Sequence, residues 1–274
     1  MYKLVAIDLD GTLLNSNYQV SEATYDVIKQ ATETGIKVVL ASGRPLIGFK
    51  KYLEELDLIS KDNYAISYNG SLVQATQGNE IIFKKTLTLD DYKDLYYLSK
   101  KLNVNIHALT DTSITTPKNS KYTKHESEIN NVPIDIIPVE DVLTSTTIVK
   151  VMYVDEPEVL DEVFAKIPKD LFNKYTIVRS TPFYLEFINK SVNKGVGVAA
   201  LAEKLKIKQE EIICIGDAGN DIHMIEYAGL GVAMGNAFSE IKEAADFVTK
   251  TNNQDGVAYV FDKFILNIDK ELAV

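Results

Sequence analysis

The sequence predicts an α/β protein whose core is a doubly wound parallel sheet, with a smaller α+β domain inserted into the chain. In the first third, short apolar runs of strand length alternate with helical patterns in the order β-α-β-α-β. The same alternation resumes near residue 193 and continues toward the end. Between these parts, residues 84–188 contain few glycines, and their apolar residues alternate with polar ones, which is typical of an α+β unit covered on one face.

The first two strands and the helices that follow them are marked by the residues at their ends. Residues 5–7 form an apolar run that ends in Asp8, which predicts a buried strand. Ser21 is a suitable N-cap for the first helix, and Gly35 is placed to end it. Residues 36–41 form the second buried strand, and Pro45 predicts the first turn of the next helix.

A hairpin is attached to the third strand. Residues 65–68 read as this strand, and Asn69-Gly70 after it is a strong turn signal. Residues 72–75 and 80–85 then pair around Gly78-Asn79. This order of elements predicts a Rossmann-like parallel sheet with an added hairpin.

The inserted domain is expected to contain two helices and several short strands. Thr88, with Asp91 three residues later, starts a helix that runs to about Leu102, and residues 157–167 form the second helix. The strands expected here are residues 104–109, 114–116, 134–139, 148–154, 175–179 and 184–188. We therefore assign residues 84–188 to the inserted domain and residues 1–83 and 189–274 to the core.

The core pattern returns with a helix that starts at Asn193 and Lys194. The next predicted strand, residues 211–216, contains the apolar run 212–215 and is followed by glycines and acids, including Asp217 and Asp221. The remaining elements are expected at residues 229–235 (strand), 240–245 (helix), 247–249 (strand) and 256–266 (helix).

Composition restricts the partners and the compartment. The formal net charge is -10, with 39 acidic and 29 basic residues, which argues against nucleic acid or an anionic membrane as a partner. Cys214, inside an apolar run, is the one cysteine, so it reads as a small buried hydrophobe of a reduced, cytoplasmic protein. No run approaches the ~20 apolar residues of a membrane span. We expect a monomer or a weak homodimer.

Two carboxylates follow the first strand. Asp8 and Asp10 stand two positions apart, and the end of a strand in a parallel sheet is where such folds bind ligands. The two carboxylates repel each other unless a cation lies between them, and oxygen ligands of this kind suit Mg²⁺. Taken alone, the segment reads equally well as an ordinary Asp-Gly turn.

Polar residues also follow the second strand and open a later helix. Ser42 and Gly43 lie between strand and helix, where backbone N–H groups and a hydroxyl can bind an anion. Lys194 opens the later helix. In isolation each residue has a plainer interpretation: Ser42 fits a helix cap, and Lys194 fits a solvated surface charge. Asp217 and Asp221 likewise fit a loop and the first turn of a helix.

Taken together, these segments resemble a known family. Asp8-Leu-Asp-Gly-Thr12, Ser42-Gly-Arg44, Lys194 and Gly216-Asp-Ala-Gly-Asn-Asp221 resemble the four ordered motifs of the haloacid dehalogenase-like phosphatases. The insertion between the second and third motifs, with Asn69-Gly70 before it, resembles the Cof-type branch and its α/β cap domain. The resemblance covers nearly the whole chain.

The resemblance implies a role for each motif residue. Asp8 would be the nucleophile that forms an aspartyl-phosphate, and Asp10 would be the general acid and base. Mg²⁺ would be held by Asp8, Asp10 through its backbone carbonyl, and Asp217, with Asp221 supporting the site from behind. The groups implied to bind phosphate belong to Leu9, Ser42, Gly43, Lys194 and Asn220.

The function that follows is a Mg²⁺-dependent phosphatase for small phosphorylated metabolites, with sugar phosphates as the expected class. Two alternatives remain open at this point. One is transfer to an acceptor other than water, as in phosphomutases, because the same aspartyl-phosphate serves both reactions. The other is a non-catalytic phospho-accepting switch, which the large insertion and Asp10 both disfavour.

The sequence is less informative about substrate contacts in the cap and about two other features. Relatives commonly carry Pro-Lys-Gly where this chain has Asn189-Lys190-Ser191, a change that concerns the return from the cap to the core. The three histidines show no metal-ligand spacing and are given no role. Candidates for substrate contacts in the cap are Asn119, Lys121 and Glu186.

Overall fold

The computed structural model describes residues 1–78 and 80–266. Contacts divide the chain into two compact units, which we describe separately. Unit 1 comprises residues 1–84 together with the described residues from 193 onward, and unit 2 is Lys85–Val192. Among the described residues, no helix has the length and apolar character that crossing a membrane requires.

The chain alternates strands and helices in unit 1 and places most of its antiparallel strands in unit 2. The strands of the described residues are β1 (Leu4–Asp8), β2 (Lys37–Ala41), β3 (Tyr64–Ser67), β4 (Leu72–Ala75), β5 (Ile81–Lys84), β6 (Asn105–Thr110), β7 (Ile114–Thr116), β8 (Ile134–Ile136), β9 (Ile148–Val154), β10 (Tyr175–Thr181), β11 (Tyr184–Asn189), β12 (Ile212–Gly216), β13 (Leu230–Ala233) and β14 (Phe247–Val248). The helices are α1 (Glu22–Glu33), α2 (Leu46–Glu55), α3 (Leu89–Leu102), α4 (Lys121–Asn130), α5 (Pro157–Ala165), α6 (Leu171–Lys174), α7 (Lys194–Leu205), α8 (Ile222–Tyr227), α9 (Ser239–Ala244) and α10 (Gly256–Phe264).

The sheet of unit 1 is parallel except at one edge. Its described strands follow the order β14-β13-β12-β1-β2-β3-β4-β5. Neighbours from β14 to β3 pair in parallel, whereas β3, β4 and β5 pair antiparallel. The predicted doubly wound sheet with an attached hairpin is therefore confirmed, and Asn79 of the predicted hairpin turn lies outside the described residues.

Both faces of this sheet are covered, as a doubly wound fold requires. Along β1, Val5 and Ile7 belong to the apolar cluster that includes α1, α2 and α10. Leu4 and Ala6 point to the other face and pack in the cluster that includes α7. Cys214 is fully buried in that second cluster, which agrees with its interpretation as a buried hydrophobe.

Helix starts follow the capping residues of the sequence. Ser21 Oγ accepts a hydrogen bond from the Thr24 amide and caps α1. Thr88 and Asp91 form the predicted capping box of α3. Pro45 differs slightly from the prediction, because it occupies the N-cap of α2 and the helix begins one residue later.

Unit 2 is an α+β domain around a six-stranded sheet of the described residues, in the order β10-β11-β9-β6-β7-β8. Its neighbours pair antiparallel, with the exception of β7 and β8. Helices α3 and α5 supply Tyr92, Leu95 and Leu160 to the apolar cluster on one face of this sheet. Two short helices, α4 and α6, are absent from the sequence prediction.

The prediction that helices cover only one face of this sheet needs a correction. Ile106 and Ala108 of β6 belong to the apolar cluster, so His107 between them points to the opposite face. There His107 Nδ1 lies 3.2 Å from Thr123 Oγ1 of α4. Helix α4 therefore packs on the second face, where it makes polar contacts and also ring contacts through Tyr122 and His125.

Candidate active site

The predicted site residues of unit 1 gather because three neighbouring strands end at the same edge of the sheet. β1 lies between β2 and β12, and all three run in parallel. Asp8 is the last residue of β1, Ser42 follows β2, and Asp217 follows β12. Lys194 is the first residue of α7, whose start is capped by Asn193 Oδ1 accepting from the Val196 amide at 2.9 Å.

Lys194 joins two buried carboxylates. Its Nζ donates to Asp8 Oδ1 and, at 2.6 Å, to Asp221 Oδ1. The side chains of Lys194 and Asp221 are 0% exposed, and that of Asp8 is 8% exposed. Burial by itself would lower the pKa of Lys194, but the two carboxylates outweigh it and hold the pKa above the ordinary value. Lys194 is thus a fixed positive charge beside Asp8.

Asp8 lies in a balance of opposing electrostatic effects. The net effect raises its pKa to about 7: burial is the largest cause, the Lys194 ammonium opposes it, and the nearby Asp221 carboxylate adds to it. Carboxylate oxygens of Asp8, Asp217 and Asp221 all lie within 4.8 Å of one another. This concentration of negative charge is what a bound cation would relieve.

The two acids that follow β12 have different surroundings. Asp221 Oδ2 accepts from the backbone amides of Asp217 and Ala218, each at 3.0 Å, so that both of its oxygens are engaged. Asp217 Oδ1 accepts from Thr12 Oγ1 at 2.9 Å. A Cβ at Gly11, whose φ is +85°, would overlap the Asp217 carboxylate, so glycine is required there on both grounds. Oxygen ligands in this arrangement fit a hard divalent cation.

The carboxylate of Asp10 stands apart from this acidic cluster. It forms a bidentate ion pair with Arg44, with Nε donating to Oδ2 at 2.9 Å and Nη2 to Oδ1 at 2.5 Å. Both side chains are partly exposed. The guanidinium fork fixes the plane of the Asp10 carboxylate, which a single lysine contact would not do.

The polar groups after β2 and β12 meet at a third segment of the chain. Ser42 is buried, and its Oγ accepts from the Arg44 amide at 3.1 Å. Asn220 Nδ2 donates to Asn69 Oδ1 at 3.0 Å, and a Cβ built on Gly43 would lie 3.2 Å from the same Asn69 amide. Leu9 is fully buried between Asp8 and Asp10 in the sequence.

Sequence reasoning did not identify four polar residues that contact this site. Thr12 and Arg44 lie inside the predicted motifs without a role of their own, and at Asn69 the sequence predicts only a turn. The sequence predicts no role for Asn236, whose Nδ2 donates to the Gly11 carbonyl at 2.8 Å. A polar residue two to four positions after the end of a strand is the common signal for the first three, whereas nothing local marks Asn236.

The structure places the candidates in the cap unit as follows. Lys121 pairs with Glu156 at 3.2 Å on the surface of unit 2. Glu186 is largely buried, and it accepts from Lys150 Nζ at 3.0 Å and from Ser180 Oγ at 2.6 Å. Asn119 Oδ1 is buried without a hydrogen-bond partner among the described residues.

Comparison with known proteins agrees with this geometry. Residues 5–261 match the haloacid dehalogenase-like hydrolase family. The chain is 45% identical to "Putative phosphatase YxeH" of Bacillus subtilis (strain 168), over 97% of this chain and 99% of that protein. The crystal structure of TM0651 from Thermotoga maritima superposes with a TM-score of 0.85 at 34% identity, covering 96% of this chain and 97% of that one.

A second solved structure indicates which branch of the family the chain resembles. The sugar phosphatase BT4131, described as a member of HAD subclass IIB, is similar with a TM-score of 0.74 and 26% identity. The similarity covers 96% of this chain and 98% of that one. The resemblance predicted from the four motifs is therefore confirmed. The chain belongs to the haloacid dehalogenase-like hydrolases, and it is an enzyme of the phosphatase group in that family.

Proposed function

We propose that this enzyme is a Mg²⁺-dependent phosphatase that hydrolyses small phosphorylated metabolites through an aspartyl-phosphate on Asp8. The single observation that carries the proposal is the buried contact of Lys194 with Asp8, next to the carboxylates of Asp217 and Asp221. Phosphoryl transfer requires a nucleophile beside positive charge: Lys194 supplies one such charge, and a Mg²⁺ ion at the three carboxylates would supply the rest.

Asp8 is the proposed nucleophile. Lys194 occupies its Oδ1, and we assign the attack on phosphorus to Oδ2. A bond then forms between Oδ2 and phosphorus while the bond from phosphorus to the leaving oxygen breaks. The ammonium of Lys194 also attracts the phosphate oxygens, which keeps the nucleophile and a dianionic substrate together despite their like charges.

Asp10 is the proposed proton donor and acceptor. The protonated carboxyl group gives its proton to the leaving alcohol oxygen, and the resulting carboxylate takes a proton from the water that attacks the aspartyl-phosphate. That second attack releases inorganic phosphate and restores Asp8. The fork of Arg44 holds the Asp10 carboxylate in one orientation, and one of its two hydrogen bonds opens when an Asp10 oxygen carries the proton.

Further residues are proposed to bind the transferred phosphate and the metal ion. The phosphate would contact the Ser42 hydroxyl, the backbone amides of Leu9 and Gly43, and the Asn220 amide. Mg²⁺ would be held by Asp8, the Asp10 carbonyl and Asp217, while Asp221 holds Lys194 and the loop amides in place. When bound, the ion supplies positive charge that offsets the charge on the phosphate oxygens.

Sugar phosphates are the proposed substrate class. The support is the similarity to BT4131, which is described as a sugar phosphatase. We further propose that unit 2, as the inserted cap domain, selects the leaving group. Release of inorganic phosphate without formation of an isomeric phosphate ester would separate this function from that of a phosphomutase.

A panel of phosphorylated metabolites, with phosphate release as the readout, tests the proposal. The wild-type enzyme should release phosphate when Mg²⁺ is present and stop when EDTA removes the metal. Asp8→Asn should abolish turnover on every substrate, including an aryl phosphate with a good leaving group, since it removes the nucleophile. Turnover by this variant near the wild-type rate would refute the assignment of Asp8.

A further inference from the structure

The turn after β3 has an unusual backbone. Three consecutive residues have left-handed φ angles: Tyr68 at 51°, Asn69 at 55° and Gly70 at 94°. Non-glycine residues rarely adopt this conformation, and among them asparagine tolerates it best. Strain of this kind persists only where surrounding contacts impose it, so the contacts of this turn need a physical explanation.

The backbone of this turn is bound to the loop that follows β2. The Tyr68 amide donates to the Arg44 carbonyl at 3.1 Å, and the Asn69 amide donates to the Ser42 carbonyl at 2.9 Å. The loop that contains Ser42 and Gly43 is therefore held on one side by the turn.

The same turn packs closely against the start of α7. A Cβ at Gly70 would overlap the carbonyl oxygen of Asn193, the residue directly before Lys194. It would also come within 3.3 Å of the Gly197 amide nitrogen. Glycine at position 70 thus permits both the left-handed φ and the close approach to the helix that carries Lys194.

The Asn69 side chain adds a contact that a turn does not need. Its Oδ1 accepts from Asn220 Nδ2 at 3.0 Å, and its amide group lies against Gly43. Residues 68–70 therefore contact three segments that contain proposed phosphate ligands: the loop after β2, the start of α7 and the loop after β12.

We propose that Asn69 is a positioning residue for phosphate binding: its side chain orients the Asn220 amide, while its backbone amide holds the Ser42–Gly43 loop beside it. The inference rests on the proposed function, because it takes Asn220 and that loop as phosphate ligands. The residue type fits the role: asparagine tolerates a left-handed φ, accepts the hydrogen bond from Asn220 and carries no charge. Aspartate would keep the first two properties but would place a negative charge beside the phosphate.

Calorimetric titration with inorganic phosphate in the presence of Mg²⁺ tests the inference without requiring turnover. Asn69→Gly removes the amide while glycine accepts the left-handed backbone without strain. It should weaken phosphate binding roughly three- to tenfold, the effect of one neutral hydrogen bond, with the melting temperature close to that of the wild type. Asn220→Ala should weaken it similarly, and the double variant should bind no more weakly than Asn220→Ala alone, because Asn69 acts through Asn220.

Asn69→Asp is the second variant. It keeps the backbone conformation and the acceptor for Asn220, so the added charge should weaken phosphate binding more than the loss of the amide does. Wild-type affinity in Asn69→Gly or Asn69→Asp would overturn the inference. Additive losses in the double variant would also overturn it, since the two residues would then act independently.

The titration separates this inference from the proposed function. A wild-type protein that binds phosphate as described but hydrolyses no phosphate ester would refute the proposed function alone. A wild-type enzyme that hydrolyses phosphate esters, with Asn69→Gly binding phosphate equally well, would refute only the role of Asn69. A wild-type protein that binds no phosphate would refute both.

Discussion

Each unit of this enzyme buries a lysine between two carboxylates, but in different places on its sheet. In unit 1, Lys194 contacts Asp8 and Asp221 where the strands end. In unit 2, Lys150 of β9 lies 3.0 Å from Glu186 of β11 and 3.9 Å from Glu126 of α4, on a face of the sheet. Each of these two clusters therefore combines one positively charged lysine with two negatively charged carboxylates.

The difference between the two groups lies in what surrounds them. Ends of parallel strands leave loops and a helix start around Lys194, and a third carboxylate, Asp217, joins Asp8 and Asp221 there. Around Lys150 the neighbours are strand and helix side chains that satisfy one another's hydrogen-bonding groups. For example, Ser180 Oγ donates to Glu186 Oε1 at 2.6 Å. Buried charge alone does not indicate a catalytic site, whereas buried charge at the carboxyl end of a parallel sheet does.

The strongest test of this comparison is the same substitution at both lysines. Lys194→Met should lower kcat by roughly a thousandfold or more, because the fixed positive charge beside the proposed nucleophile and the phosphate is lost. Lys150→Met should leave kcat within a few-fold of the wild type but lower the free energy of unfolding by about 3 kcal/mol, since two carboxylates lose their buried partner. Phosphate-release kinetics and urea unfolding measure both quantities. A larger loss of kcat in Lys150→Met than in Lys194→Met would reverse the comparison.

A second pair of substitutions compares two arginine–aspartate ion pairs. Arg44→Ala should lower kcat/KM for an alkyl phosphate roughly a hundredfold, because Asp10 loses its fixed orientation and the alkoxide needs a proton to leave. For p-nitrophenyl phosphate the loss should be only a few-fold, since that leaving group needs no proton. The quantity kcat/KM reports the steps up to formation of the aspartyl-phosphate, so slow hydrolysis of that intermediate does not affect the result.

Arg179 provides the matched control in unit 2. Its Nη1 lies 3.1 Å from the exposed Asp161, and no reaction step is assigned to that pair. Arg179→Ala should leave the ratio of the two kcat/KM values unchanged. Equal losses for both substrates in Arg44→Ala would show that Arg44 does not act through the proton transfer.

Unit 2 should also show a pH dependence of stability from His107. Burial, with a smaller contribution from Lys150, lowers the pKa of this histidine from 6.5 to about 3. The folded state keeps it neutral, so its contribution to stability is complete above pH 6.5 and is lost as the pH falls toward 3. Between pH 6.5 and 5, this group should reduce the free energy of unfolding by about 2 kcal/mol.

Comparing wild type with His107→Gln by urea unfolding measures that contribution. The variant has no titrating group at this position, so its stability should fall less steeply below pH 6.5. Above pH 7.5 the two proteins should show parallel profiles, which serves as the internal control. Identical slopes between pH 6.5 and 5 would mean that His107 has the same pKa in the folded and unfolded protein, which would contradict the expected effect of burial.

The smallest effects are expected at helix caps. Ser21 caps α1 in unit 1, and Ser120 caps α4 in unit 2 by accepting from the Thr123 amide at 3.1 Å. Each serine-to-alanine substitution should lower the free energy of unfolding by about 1 kcal/mol. An effect of Ser120→Ala near zero, measured by urea unfolding, would indicate that α4 is held by tertiary contacts and not by its cap.

The core fold was predictable because its signals are local and redundant. β1, β2 and β12 are continuous apolar runs that break into polar residues, and parallel pairing brings those breaks together. Helix α4 was missed because its sequence has no apolar stripe to recognise, and several of its contacts with the sheet, such as Thr123 with His107, are polar. The ion pair of Arg44 with Asp10 was missed because it joins residues 34 positions apart, whose geometry only the folded chain defines.

The central claim is that phosphate is transferred to Asp8, and trapping this intermediate tests it most directly. Wild-type enzyme mixed with substrate and Mg²⁺ would be quenched in acid within one turnover, digested and analysed by mass spectrometry. The account predicts one phosphoryl group on the peptide from the end of β1, located at Asp8, and none in Asp8→Asn. Turnover with no phosphorylated peptide in samples quenched throughout the first turnover, or a phosphoryl group on another residue, would contradict it.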